Sequence, residues 1–166
     1  MKLTKELRGK LLISAPAILD DASFNRSLIL VAEHSTDSSL GFIMNRPSKF
    51  TLNDLLPDVN CNFTVFKGGP VETDNIYFIH NIPHLIPNSI KVTDGIYWGG
   101  SFAQLKTLLN QNKINENEIR FFLGYAGWSP DQLEDELDEK SWFVRENTYF
   151  NILDIKIDQL WKSNLL

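Results

Sequence analysis

Two runs of strand-forming residues, SLILVAE at 27–33 and LGFIM at 40–44, are separated by six residues, and this spacing constrains the fold more than any other feature of the chain. Parallel neighbours need a crossover of about a dozen residues, so the pair must form an antiparallel hairpin. Apolar runs rich in β-branched and aromatic residues predict further strands at 10–14, 63–66, 76–80, 119–123 and 149–153 and, on sparser patterns, at 89–92 and 95–98. The nine residues 67–75 favour a second antiparallel pair between 63–66 and 76–80.

Helix starts are signalled where a hydroxyl stands three residues ahead of a side chain able to reach back to the cap amide: Thr51 with Asp54, Ser101 with Gln104, and Ser129 with Gln132. Pro130 falls on the first helical position of the third, where its missing N–H costs nothing. A short last helix is predicted over 158–163. Helices between 95–98 and 119–123, and between 119–123 and 149–153, predict right-handed βαβ units. The expected architecture is therefore a single α+β (α/β layered) domain over residues 1–166. It has a mixed sheet, antiparallel hairpins in the N-terminal half, βαβ units in the C-terminal half, and helices packed on the sheet.

A chain of 166 residues is long enough for one buried core. Its single cysteine, Cys61, cannot form an internal disulfide, which favours a reducing compartment. Basic residues ahead of LLISAPA imitate a leader, but the apolar run Leu11 to Ser14 is four residues against the about seven or more of an export signal. No segment approaches the roughly 20 apolar residues that span a bilayer. A soluble, cytoplasmic protein with no membrane attachment is expected. Residues 129–140 carry six carboxylates and one lysine, a balance of −5 that equals the net charge of the whole chain. The remainder is balanced, so no basic field for direct nucleic-acid binding is expected.

The stretch FFLGYAGWSPDQLEDEL, 121–137, is the foremost candidate site. Clefts in open sheets form beyond the carboxyl ends of parallel strands. There Gly124 frees the backbone, Tyr125 and Trp128 would wall a pocket, and Gln132 and Glu136 would supply polar groups. Acidic residues at the helix start exclude an anion, leaving an uncharged or cationic ligand. The plainer reading is a turn that folds the strand back under a capped helix, with Trp128 as packing anchor. On a helical projection Leu133 and Leu137 face inward, while Asp131, Glu134, Asp135 and Asp138 project outward. Glu136 lies at the edge of the apolar stripe, either as a half-buried acid or base of raised pKa or as an ordinary pair with Lys140.

Secondary candidates are Asn45, Gly68, Gly69 and His80, each following a predicted strand. FKGGPVETD, 66–74, reads as a turn; it lacks the Gly-Lys-Ser/Thr ending of a P-loop, because Lys67 precedes its glycines. Pro83 and Pro87 prevent the helix that would align His80 and His84 as metal ligands. Cys61 sits between asparagines in a polar loop and reads as an idle thiol. No catalytic residue, metal or cofactor is assigned.

LLISAPAILDDASFNRSLILVAEH, GFIMNRP, GGPV, FIH and LGYAGWSPDQLEDEL, closing with Trp142, together resemble the YqgE/AlgH family of bacterial proteins over nearly the whole chain. The resemblance implies a compact α/β sandwich and a family labelled uncharacterised, or assigned to transcriptional regulation through an association with alginate control. It implies no settled catalytic residue or cofactor. Asp131 stands where the family commonly has glycine. Two functions follow as expectations: a regulator acting indirectly through an unknown protein partner, or a small-ligand-binding protein or enzyme using the Gly124–Gln132 segment.

Overall fold

A computed structural model describes residues 6–14, 27–149 and 151–154. Its strands are β1 (Leu11–Ser14), β2 (Leu28–His34), β3 (Ser39–Ile43), β4 (Pro47–Thr51), β5 (Thr64–Lys67), β6 (Val71–His80), β7 (Ile90–Thr93), β8 (Ile96–Trp98), β9 (Ile119–Trp128) and β10 (Trp142–Arg145). The α-helices are α1 (Leu52–Leu55), α2 (Phe102–Asn110) and α3 (Gln132–Asp138), with 3₁₀ turns at Glu116–Glu118 and Ile152–Asp154. The ten strands make one sheet in the order β10-β1-β2-β3-β9-β6-β8-β7, with β5 also on β9 and β4 outside β5. Every strand pair is antiparallel except β5 with β9.

This corrects the expected layered α/β architecture. The described residues form a mostly antiparallel sheet, curled into a half-barrel, with few helices and no βαβ units among them. β9 receives β6 and β3 as antiparallel neighbours, so β8 is separated from it by β6. The strand expected at 149–153 is instead a 3₁₀ turn at Ile152–Asp154, and the strand that follows α3 is β10, which closes on β1. The hairpin of β2 and β3 forms as the short connection demands. β5 and β6 do not pair; β9 inserts between them. β4 escaped the sequence pattern because, as an outer strand bearing Pro47 and Lys49, it has mostly exposed residues and little alternation. The helix expected over 158–163 lies outside the described residues.

The curl separates three cores. Inside it lie Leu11, Leu28, Leu30, Phe42, Phe122 and Val92. Val92 belongs to the far end of the sheet, and Gly9 beside β1 packs against Thr93, so the two ends approach each other. Outside, α1 and α2 cover Val65, Phe78 and Phe121, while α3 covers Leu12, Ile29, Val31 and Ala126. Period-two alternation distributes these side chains: Leu28 and Leu30 point inward and Ile29 and Val31 outward.

β9 departs from that period at one residue. Phe122 and Tyr125, three apart, both face the inner core, whereas Phe121 lies outside before the break and Ala126 and Trp128 lie outside after it. The break is Gly124, at φ +71, where pairing with β6 is irregular: β6 carries four residues, 72–75, between the partners of Tyr125 and Leu123, against one in β9. The Gly68–Gly69 turn lies against it. A Cβ on Gly68 would stand 2.3 Å from the Gly124 carbonyl oxygen, and one on Gly69 would stand 2.1 Å from the Tyr125 carbonyl carbon. Gly68 also donates to the Leu123 carbonyl at 2.8 Å and accepts from the Ile43 amide at 2.8 Å, joining β9 to β3.

Gly69→Ala must force two backbones apart and is expected to lower stability by about 3 kcal/mol or more in urea denaturation. Gly95→Ala, at φ +78 with no atom within 4 Å of the added Cβ, carries only the conformational cost of about 1 kcal/mol and is the matched control. Equal losses in the two variants would refute the backbone-contact account.

Candidate functional site

α3 is seated by a carboxylate. Glu136 Oε1 accepts from the indole N–H of Trp128 at 3.1 Å and of Trp142 at 2.9 Å, and its Oε2 accepts from Gln132 Nε2 at 2.8 Å. Indole nitrogens only donate, so a buried tryptophan pair requires an acceptor. The rings meet edge to face at 6.2 Å and 80°. Both indoles are 5% exposed or less, and Leu133 packs beside them. Glu136 is thus half-buried, with both oxygens accepting hydrogen bonds, rather than paired with Lys140. The helix ends at Asp138 and Lys140 has turned to φ +62, so the i,i+4 relation is lost.

The helix start also differs from its sequence signature. Asp131, in the left-handed conformation at φ +65, is the N-cap, and Pro130 lies outside the helix. Ser129 and Gln132 do interact, but the Gln132 side chain accepts from the Ser129 amide at 2.9 Å and from its hydroxyl at 3.2 Å. Glu134, expected to project outward, turns inward. Its Oε1 lies 3.1 Å from His34 Nε2, out of line for a hydrogen bond, with the two side chains 17% and 1% exposed. His34 Nδ1 meets Ser39 Oγ at 2.6 Å. Asp131, Asp135, Asp138 and Glu139 form the exposed flank.

The remaining candidates do not converge. Tyr125 and Trp128 stand on opposite faces of the sheet, Tyr125 against Tyr77 on the inside and Trp128 outside, so they wall no common pocket. That separation follows from their odd spacing in an extended strand and was available in the sequence once the strand was known to run to 128. Gly124, Gly68 and Gly69 are the backbone contact described above. Asn45 Oδ1 accepts from the Leu28 amide at 3.0 Å, closing one end of β2.

His80 is fully buried. Its Nε2 lies 3.1 Å from the Gly99 carbonyl and its Nδ1 accepts from the Ile82 amide at 3.2 Å, which fixes the neutral Nε2–H tautomer. Burial holds its pKa below the ordinary value. His84 is exposed and does not converge with it. Among the described residues no three His, Cys, Asp or Glu side chains are grouped to hold a metal ion. Cys61, expected in an open polar loop, is buried beside a cavity of about 240 Å³ that Asn60, Asn112 and Phe63 also line, and burial raises its thiol pKa away from reactivity.

Two features had no sequence signal. Arg120, in β9, is buried with its guanidinium 4.4 Å from the Phe66 ring, donating to the carbonyls of Met44 at 2.8 Å and Leu153 at 3.2 Å. Burial lowers its pKa to about 10, so it stays charged at neutral pH. Arg46 and Lys67 come together beside the Gly69–Pro70 turn around a cavity of about 120 Å³. Strand pairing, not spacing along the chain, creates both.

The AlgH-like family profile matches residues 11–166. A UPF0301 protein of Chlorobium limicola is 38% identical over 95% of this chain and 84% of its own length, and one of Chlorobium chlorochromatii is 40% identical with the same coverage. In fold, the solution structure of the AlgH protein from Pseudomonas aeruginosa superposes with a TM-score of 0.79 at 24% identity, covering 98% of this chain and 90% of that one. A crystal structure of a Corynebacterium diphtheriae protein gives 0.72 at 22% identity, covering 88% and 78%. Among the described residues no helix is long and apolar enough to cross a membrane.

Glu136→Ala leaves two buried indoles and an amide without their acceptor and is expected to cost about 2–4 kcal/mol, read by tryptophan fluorescence during urea unfolding; Glu136→Gln, which keeps one carbonyl acceptor, should lose less. A neutral Glu136→Ala would show that the clamp is incidental. For His80 the native state resists protonation while the unfolded chain takes up a proton below about 6.5. Its contribution is therefore complete above that pH and declines as pH falls through it, by up to about 1.4 kcal/mol per pH unit. Stability curves measured between pH 7 and 5 should be steeper for the parent than for His80→Gln; parallel curves would contradict this.

Proposed function

We propose, from the premise that this chain belongs to the AlgH-like family, that it is a cytoplasmic regulatory protein acting through protein partners without gripping nucleic acid itself. The occupied junction carries this reading. Glu136 has both oxygens engaged by Trp128, Trp142 and Gln132, and Tyr125 and Trp128 face opposite ways, so the Gly124–Gln132 segment keeps neither a free base nor a walled cleft for a substrate. The same clamp fixes the exposed flank of α3, with Asp131, Asp135, Asp138 and Glu139, as an acidic surface of defined shape. A basic patch on a protein is its natural complement.

Reading DNA through a helix-turn-helix needs two helices joined by a turn of about 3–4 residues. Here α2 and α3 are separated by the whole of β9. A single cysteine forms no internal disulfide, which supports a reducing compartment.

Gel shifts with duplex DNA are expected to show no complex from low to physiological salt, and a complex that weakens steeply with salt would overturn the reading. In affinity capture from native cells, Asp131→Asn with Glu139→Lys is expected to lose partners held by the parent chain. Identical partner sets would remove α3 as the contact surface.

A further inference from the structure

We infer that the cavity beside Cys61 is a binding site for one neutral sugar ring. It lies between the loop that precedes β5 and the C-terminal end of α2. It shares no residue with α3 or its acidic flank, so it is independent of the regulatory reading.

The walls are preformed. The loop is tied to α1 and α2: the amides of Leu52 and Asn53 donate to the carbonyls of Phe63 and Cys61 at 2.9 Å, Asn53 Nδ2 donates to the Val59 carbonyl at 2.8 Å, and the Asn60 amide donates to Asn110 Oδ1 at 2.6 Å. On the other side α2 ends as Asn112 turns left-handed at φ +56, with its amide donating to the Leu109 carbonyl at 3.1 Å and the Lys113 amide to the Leu108 carbonyl at 2.9 Å. Walls already held in place lose little freedom when a ligand arrives.

The lining divides into a polar rim and an apolar floor. The chain buries Cys61 and leaves Asn60 and Asn62 on either side of it exposed; Asn112 faces them across the cavity mouth. The three carboxamides hydrogen-bond to no described residue. Beneath them Leu109 and Ile114 are buried and Phe63 is half-buried, all part of the core under α1 and α2. A carboxamide offers donors and an acceptor together, the complement of a hydroxyl, which is both. A sugar ring carries hydroxyls around its edge and C–H bonds on its faces, so its edge matches the rim and a face matches the floor. The volume of about 240 Å³ equals about eight waters at roughly 30 Å³ each, room for one ring and not for two.

Charge narrows the ligand further. Among the described residues no charged side chain lines the cavity. The carbonyl end of α2 and the Glu116 carboxylate, which accepts from the Thr64 amide at 3.3 Å and acts on Cys61, disfavour an anion. No carboxylate stands in the lining to pair a cation. Phe63 is the single aromatic there, so a nucleobase would lack a second stacking face.

The test is an amide-resolved NMR titration of the full chain with the methyl glycosides of glucose, galactose and mannose and with N-acetylglucosamine, against glucuronate and adenine at matched ionic strength. At least one neutral sugar is expected to give saturable shifts over residues 60–63 and 109–114, with none from glucuronate or adenine. Asn62→Ala and Asn112→Gly should each weaken that binding about tenfold, the worth of one lost hydrogen bond. Asn112→Gly suits the left-handed position and so keeps the end of α2 intact. Gln104→Ala, at an exposed carboxamide of α2 outside the cavity, should leave binding unchanged. Failure of every neutral sugar to saturate, saturation by adenine or glucuronate in their place, or undiminished binding by both asparagine variants would overturn the site.

Discussion

One backbone-to-backbone contact governs the architecture: two glycines of the turn after β5 pressed against β9 at a glycine of positive φ. A ten-residue strand normally offers one partner to each side. β9 has three, because at Gly124 it hands one flank from the parallel β5 to the antiparallel β3 while the other flank keeps β6. The positive φ of Gly124 also inverts which side chains face inward, placing Tyr125 beside Phe122's core and Trp128 under α3. The inner core and the α3 core therefore share a strand whose two halves are out of phase. A side chain on Gly69 would occupy the space of the β9 backbone, so the contact can be kept only by a bare turn.

Local physics was legible in the chain, and long-range pairing was not. The β2–β3 hairpin follows from a connection too short for anything else, the reciprocal cap at Thr51 and Asp54 forms as its spacing predicts, and at Ser101 the hydroxyl half of the cap forms on the Gln104 amide. The failed elements share a cause. The βαβ units and the β5–β6 pair were inferred from chain order on the assumption that consecutive strands are neighbours, whereas β9, late in the sequence, inserts into the middle of the sheet. β4 and β10 were invisible because outer strands of four or five residues carry too little alternation to register. For the site, the role of Trp142 depends on its pairing opposite Ser14, on a strand 128 residues away by number. No periodicity along α3 could have disclosed it.

Charge on this protein is partly internal. Of the six carboxylates near α3, Glu136 serves two indoles and Glu134 faces His34, so the outward flank is less acidic than a helical projection implies. Arg120 is the counterpart inside the curl: a cation without a carboxylate on its donors, satisfied by two carbonyls and an aromatic face. Hydrogen bonds to a charged donor are stronger than neutral ones, and guanidinium tolerates partial dehydration better than ammonium. Arg120 thereby ties the exit of β3 and the turn at Ile152–Asp154 to β9, three segments distant in sequence.

These considerations divide the glycine-rich segments into structural and chemical parts. A glycine whose missing Cβ is filled by another backbone is committed to packing, which disposes of Gly68, Gly69 and Gly124 as groups that approach a ligand through an empty cradle. The residues beside such a contact are under the opposite constraint. Leu123 and Tyr125, on either side of Gly124, leave the contact for opposite faces, Leu123 to the core under α1 and α2 and Tyr125 to the inner core. Farther along β9, beyond the break, Trp128 meets Glu136 of α3. That pairing closes the site that the sequence advertised.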